Sequence, residues 1–210
     1  MLKIDEKEIL EFNKSASKNK KIRLQILPEP FLGDPSAPVV ILNLNPGYKQ
    51  ANIRQHKNKQ FQRLSRRNLR HLPAQFPFYL LDPSIDRTKY WEQKLARLID
   101  AVADEGQRLV AHGVFCVEYF PYHSRKFGAR KVTVPSQQYS FALVRNAMAH
   151  RAVIIVMRGR KKWFAEIPKL SRYRNLYMVR SVQNPTISPR NCPKGFKRAV
   201  KALRRLRRIM

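Results

Sequence analysis

Acidic residues are scarce in this chain of 210 residues: 14 Asp and Glu stand against 43 Lys and Arg, a formal net charge of +29. None occurs between Asp34 and Asp82, and after Glu118 only Glu166 remains. That layout excludes chemistry. A two-metal nuclease centre requires several clustered carboxylates, and a two-carboxylate sugar hydrolase requires a pair. The later half of the chain has almost none to give, so a reaction without metal or cofactor is expected. Cysteine is equally sparse. Cys116 and Cys192 are too few for a structural zinc site or a four-cysteine iron–sulfur cluster, and their spacing does not argue for a disulfide. They read as buried or incidental thiols. No stretch offers the ~18 uninterrupted apolar residues of a membrane span. The opening MLKIDEKEILEF mixes acids with apolar residues and has no signal-peptide core. A cytoplasmic or nucleoid-associated protein without a membrane partner is expected. His56, His71, His112, His123 and His150 have no metal-ligand spacing and are expected at the surface or near phosphates.

What is abundant is positive charge, in runs: RQHKNKQFQRLSRRNLRH, SRKFGARK, RGRKKW and the tail KGFKRAVKALRRLRRIM. Such a field attracts polyanions and makes binding steeply salt-dependent. The expected partner is DNA, with RNA as the alternative, held through a basic surface. A generic basic exterior, as on a ribonucleoprotein component, is the plain rival. Apolar content of 43% supports a core. Length suits a single domain, expected as a monomer, over residues 25–210, with a basic N-terminal segment at 1–24.

Punctuation and period predict alternating strands and helices. PVVILNL (38–44), GVFCVEY (113–119), AVIIVM (152–157) and NLYMVR (175–180) read as buried strands. Residues 91–111 read as one amphipathic helix, with Trp91, Leu95, Leu98, Ile99, Val102, Leu109 and Val110 near one face. Residues 136–150 read as a second, with Tyr139, Ala142, Leu143 and Met148 inward; the basic stretch 50–70 is helix or ordered loop. Arg158-Gly159-Arg160 turns the third strand into a short helix. A C-terminal helix starts at Pro193, suited to a first helical position, with a stripe of Phe196, Val200 and Leu203. The pattern is an α/β fold with a mostly parallel sheet covered on both faces. In such sheets ligands bind beyond the carboxyl ends of the strands. Residues 43–48, 118–124, 158–160 and 181–191 should therefore converge.

Two of these segments carry the sharpest signals. In VVILNLNPGYK a buried run ends on Asn43 and Asn45 and turns at once on Pro46-Gly47. Gly47 lets a backbone approach a ligand, and the exposed amides of such a turn can hold an anion or a carbonyl oxygen. An asparagine there can orient a water without setting a negative charge beside phosphates; the plain alternative is that both asparagines cap the turn. In SVQNPTISPRNCPKGF, Pro185 and Pro189 stiffen a loop that can press on DNA, and Arg190 can hold a phosphate bidentately.

Together these segments resemble the uracil-DNA glycosylase superfamily. NLNPGY is similar to its first motif in the Gly-x-Asn-Pro-Gly form of the mismatch-specific and single-strand-selective branches. NPT resembles the second motif, His-Pro-Ser or Asn-Pro-Ser. SPRNCPKGF is similar to a Ser-Pro-Arg-Asn stretch of the single-strand-selective branch, and IIVMRGRKKW to a third-strand segment ending in Gly-Arg. The likeness spans about residues 25–205, with the segments in the family's order. It implies a three-layer α/β/α sandwich around a four-stranded parallel sheet, and hydrolysis of the N-glycosidic bond of a flipped base. By this resemblance Asn45 orients the attacking water and Asn184 steadies charge on the leaving base; Thr186 is the rival for that second position. Tyr48 stacks on or fences the base, and the amides of Gly47 and Tyr48 bind its oxygen. Thr186, Ser188, Arg190, Asn191 and Lys194 belong to the DNA-pressing segment. Two positions depart from the pattern. Asn43 stands where the family has glycine. Glu118 lies near an asparagine that reads the base's pairing edge in several members, so Asn43 and Glu118 join the base-binding set. An ionised Glu118 only accepts hydrogen bonds and would favour an amino-bearing edge over uracil; the alternative is a local pair with an arginine. The rival to an enzyme is a protein of the same fold that binds DNA or RNA without catalysis.

Overall fold

The computed structural model describes residues 2–85, 89–102, 105–128 and 132–208. Among the described residues the sheet has five strands: β1 (Phe31–Leu32), β2 (Val39–Asn43), β3 (Val114–Glu118), β4 (Val153–Val156) and β5 (Leu176–Met178), in the order β1-β3-β2-β4-β5. β2, β3, β4 and β5 are parallel and match the four strands expected. The fifth, β1, runs antiparallel to β3, pairing Phe31 with Val117 and Leu32 with Cys116. Two residues are too short to show a period, which is why this edge strand is invisible in the sequence. Gly33 follows it at φ 101°, where an added Cβ would lie 2.5 Å from the Val114 carbonyl oxygen. Only glycine meets both demands.

Among the described residues eight α-helices surround the sheet: α1 (Glu6–Ser15), α2 (Gln50–Lys57), α3 (Lys59–Leu69), α4 (Tyr90–Ala101), α5 (Gly106–Gly113), α6 (Gln137–Ala149), α7 (Arg160–Glu166) and α8 (Pro193–Leu206). The strands are apolar throughout because both faces are covered. Val39, Ile41, Val114, Cys116 and Ile155 pack with α3, α4, α5 and α8. Val40, Leu42, Phe115, Val117 and Ile154 pack with α1, α6 and α7. Each such side chain, fully buried, contributes about 1.5–3 kcal/mol. The central strand β2 is therefore the most expensive place to disturb, and Asn43 is its last residue. The segment 2–24 reaches this core: Ile9 is fully buried, and buried Asp5 accepts hydrogen bonds from the Tyr122 hydroxyl (2.7 Å) and the Ser136 amide (3.0 Å).

Two expectations are corrected. The single helix over 91–111 is broken into α4 and α5, with Glu105 left-handed at φ 54°. At Gly106 a Cβ would sit 2.3 Å from the Ile99 carbonyl oxygen, so the glycine permits α5 to fold back against α4. In α6 the inward face is Phe141, Leu143, Val144 and Ala147 rather than Tyr139 and Ala142. Tyr139 is half exposed and meets the His71 ring through its hydroxyl, 2.7 Å away. The open choice over 50–70 resolves to two helices, parted where the Asn58 side chain caps α3 by accepting from the Phe61 amide.

Candidate active site at the carboxyl ends of the strands

β2 and β3 end on a shared rung, Asn43 opposite Glu118. Asn43 is 4% exposed and Glu118 1%. Asn43 Nδ2 donates to Glu118 Oε1 at 3.0 Å. The Asn43 carbonyl accepts from Trp163 Nε1 of α7 at 2.8 Å. Burial, reinforced by nearby Glu29, holds the Glu118 carboxyl well above the usual carboxylate range, against a smaller opposing pull from the Asn43 bond and Arg158. Glu118 forms no ion pair among the described residues, so the local arginine pair does not form.

Beyond the rung the chain makes the Pro46-Gly47 turn, pinned to the segment after β3 by a parallel bridge between Gly47 and Ser124. Half-buried Asn45 points Nδ2 at the Pro46 carbonyl and at Ser124 Oγ, both 3.0 Å away. Both donor hydrogens are thereby used, and the carbonyl end, Oδ1, makes no hydrogen bond among the described residues. Gly47 is exposed, and a Cβ built on it would meet nothing within 4 Å. The space over the turn is open. Tyr48 is 7% exposed; one ring face carries the Arg23 guanidinium, 4.6 Å from the centroid.

His123 donates from Nδ1 to the Gly47 carbonyl at 2.8 Å, since a carbonyl only accepts. Its ring lies edge-on to His56 with centroids 5.6 Å apart. The surface positions expected of these two histidines are wrong: both are buried beneath the turn, and burial pushes each down to about 4. Neutral at ordinary pH, they serve as packing that fixes the turn.

The segment 181–191 reaches the same end of the sheet. Asn184 is exposed, and its Oδ1 accepts from Lys94 Nζ of α4. Lys94 is buried, its ammonium pulled below the usual lysine range by that burial and by Arg158. The Tyr90 hydroxyl, one turn earlier on α4, is pushed up to about 12 by burial, with Arg158, Glu118 and Cys116 acting on it electrostatically. Tyr90, Lys94, Arg158 and Glu118 thus face a common region. Asn191 is engaged inside the loop: Oδ1 accepts from the Ser181 amide and Nδ2 donates to the Thr186 carbonyl, while Ser188 Oγ accepts from the Asn191 amide. Arg190 and Lys194 are exposed and make no side-chain hydrogen bond or ion pair among the described residues. The sequence reading missed Lys94, Ser124, His123 and Arg23.

Cavities among the described residues lie elsewhere. One of about 640 Å³ follows α8, where Lys197, Lys201, Arg204, Arg205 and Arg208 rise beside Phe196. Another of about 240 Å³ lies near β1, around Asn68, His71 and Tyr79. Neither is lined by Asn45, Tyr48, Glu118 or Asn184. The last residues of the SRKFGARK run, 129–131, and the final two of the tail, 209–210, lie outside the described residues.

Comparison with known protein families, curated proteins and solved structures finds no match. The chain's own residues therefore carry the functional argument. Among the described residues no helix is long and apolar enough to cross a membrane, and no group of three His, Cys, Asp or Glu is placed to hold a metal ion. The α8 cations give a measurable expectation. Reversing Lys197, Lys201 and Arg205 to glutamate removes three positive charges, and the slope of log affinity against log salt for single-stranded DNA should become shallower by about 2 or more. An unchanged slope in a salt titration followed by fluorescence anisotropy would take α8 out of the contact surface.

Proposed function

We propose that this chain is a base-excision glycosylase with a uracil-DNA glycosylase-like α/β/α sandwich, hydrolysing the N-glycosidic bond of a flipped base without metal. One observation carries the reading: Asn45 is held by both hydrogens of Nδ2, so its Oδ1 stands unpaired beside the open space over Gly47. A fixed acceptor at that point can orient water toward the sugar carbon. It is a weak base, suited to a bond that breaks early and leaves a cationic sugar, which the DNA phosphates help to stabilise.

Asn184 fits the complementary role. Lys94 occupies its Oδ1, so the free end of the carboxamide is its NH₂, a donor for charge building on the departing base. The lysine behind it adds a fixed positive charge, strongest in effect where water is excluded. Arg190 and Lys194 are both exposed, which leaves them open to phosphates. Entry of a base requires the Arg23 guanidinium to leave the face of Tyr48, after which the ring can stack on the base.

A second reading, a protein of this fold that binds DNA or RNA without excision, is favoured by the closed strand ends, where Asn43, Tyr48 and Glu118 are each under a tenth exposed. One experiment separates the two. The protein is incubated with oligonucleotides carrying uracil, hypoxanthine, xanthine or a mismatch, and abasic sites are then cut with alkali. Excision of at least one base is expected. Salt-sensitive binding with no cut product from any of them would leave only the binding reading.

A further inference from the structure

We propose that the groove along α8 is a single-strand track separate from the strand-end site, its cations following successive phosphates while Phe196 stacks an unpaired base. Such a track stands whether or not the strand ends excise a base.

Like charges four residues apart on a helix repel, yet α8 keeps them in line. Lys197, Lys201 and Arg205 follow one another at that spacing, and Arg204 and Arg208 form a second row beside them. All five are exposed and line one cavity of about 640 Å³. Lys197, Lys201, Arg205 and Arg208 make no side-chain hydrogen bond or ion pair among the described residues. Arg204 makes one, donating to the Ala101 carbonyl at the end of α4 at 2.8 Å. No acid follows Glu166 in the chain. Of the described acids near the end of α4, Asp100 pairs with Arg97 and Glu105 with Arg108. The rows are therefore left without counter-charge among the described residues, and a bound polyanion supplies it.

The floor of the groove decides which polyanion. It holds Phe196 and Val200, both packed against the core and both lining the cavity. An acidic amphipathic helix docks through apolar anchors repeated over successive turns. Phe196 and Val200 stand one turn apart at one end of the groove, too few for that mode. A duplex brings phosphates but keeps its bases paired and stacked. A single strand brings phosphates for the rows and an open base for the ring. Four residues of helix rise about 6 Å, a step of the same order as that between successive phosphates of an extended strand. From Lys197 to Arg208 the groove runs about 16 Å, room for about three such steps.

α8 also sets the direction of the track. Near its start a Cβ on Gly195 would stand 2.8 Å from the Cβ of Tyr177 in β5, and near its end Leu203 presses on Gly113, immediately before β3 begins. The helix thus runs from the carboxyl ends of the strands toward their amino ends. Asn45, Tyr48, Glu118 and Asn184 do not line its groove, so a strand held there leads away from the strand-end site.

Binding to the whole protein is read by fluorescence anisotropy with a labelled thymidine strand, an abasic strand of equal length, and the thymidine strand annealed to its complement. The wild type should hold the thymidine strand about fivefold or more tighter than the abasic one. Phe196→Leu keeps the apolar packing but not the aromatic face; it should erase that ratio, leave the salt slope unchanged and leave duplex binding as it was. Exchanging Lys197, Lys201 and Arg205 for glutamine should do the reverse, making the slope shallower by about 2 while the ratio persists. A strand carrying photoreactive thiothymidine should crosslink to the peptide that holds Phe196. Equal binding of thymidine and abasic strands by the wild type would overturn the proposal. So would a ratio that survives Phe196→Leu but disappears in Tyr48→Ala, since it would then belong to the strand ends. Displacement by a glutamate oligomer of equal charge, as effective as by unlabelled strand, would also overturn it and make α8 a surface for acidic proteins. Excision is scored separately in the alkali assay: its absence leaves the track standing, and its presence does not rescue it.

Discussion

Replacing Asn45 by alanine is expected to lower base excision by about a hundred- to a thousandfold, with affinity for the same oligonucleotide nearly unchanged. The size follows from what the side chain does. On the proposed reading, oriented water replaces a random encounter, and the oxygen that would orient it is fixed in advance because Pro46 and Ser124 hold the other end of the carboxamide. Alanine removes the acceptor and leaves the basic surface, the proposed source of most binding energy, untouched. Ser124→Ala tests the positioning separately: Asn45 keeps its oxygen but loses one tether, and a smaller loss of about tenfold is expected. Single-turnover kinetics with a saturating concentration of protein read both variants without interference from product release. Full turnover by Asn45→Ala would refute the role given to its oxygen, whatever the binding data say.

The sequence displayed the parts of this fold that repeat. Four strands with continuous apolar runs, and the helices between them, announce a parallel sheet buried on both faces. The strand-end rule then brought residues 43–48 and 181–191 together from opposite ends of the chain, and Asn45 and Asn184 do reach the same end of the sheet. What stayed hidden was set by long-range contact. β1 exists only as a partner for β3, since two residues carry no period. The break between α4 and α5 is decided by the approach of the Ile99 carbonyl to Gly106, which no periodicity reports. His56 and His123 sit in basic or polar stretches, yet both are buried because the Gly47 turn folds over them.

Lys94 is the instructive omission, because its signal was present. Trp91, Leu95 and Leu98 define the buried stripe of α4, and position 94 falls on that stripe, three residues after Trp91 and one turn before Leu98. A lysine on an apolar face is costly unless something receives its charge, and Asn184 is that acceptor. Arg23 left no comparable signal. Its stacking on Tyr48 depends on where the N-terminal segment lies, and that is fixed by Asp5 and Ile9 far from either residue.

The second large effect is expected in stability. Trp163→Ala should cost about 3–5 kcal/mol, a substantial fraction of the roughly 5–15 kcal/mol that holds a domain together. Trp163 is fully buried on α7, edge-on to Tyr119 at 5.4 Å and to Phe141 at 5.9 Å, so alanine leaves a void between α7, α6 and the end of β3. Urea unfolding followed by far-ultraviolet circular dichroism measures it; a loss below about 1 kcal/mol would mean that the cavity collapses and the ring is not a keystone. Trp163→Phe separates packing from hydrogen bonding. It keeps an aromatic ring but removes the Nε1 donor from the Asn43 carbonyl, which retains only the longer bond from the Tyr119 amide at 3.3 Å. About 1–2 kcal/mol is expected for that change. Asn43 is also the residue whose side chain meets Glu118, so the phenylalanine variant should loosen the ends of β2 and β3 while most of the core survives.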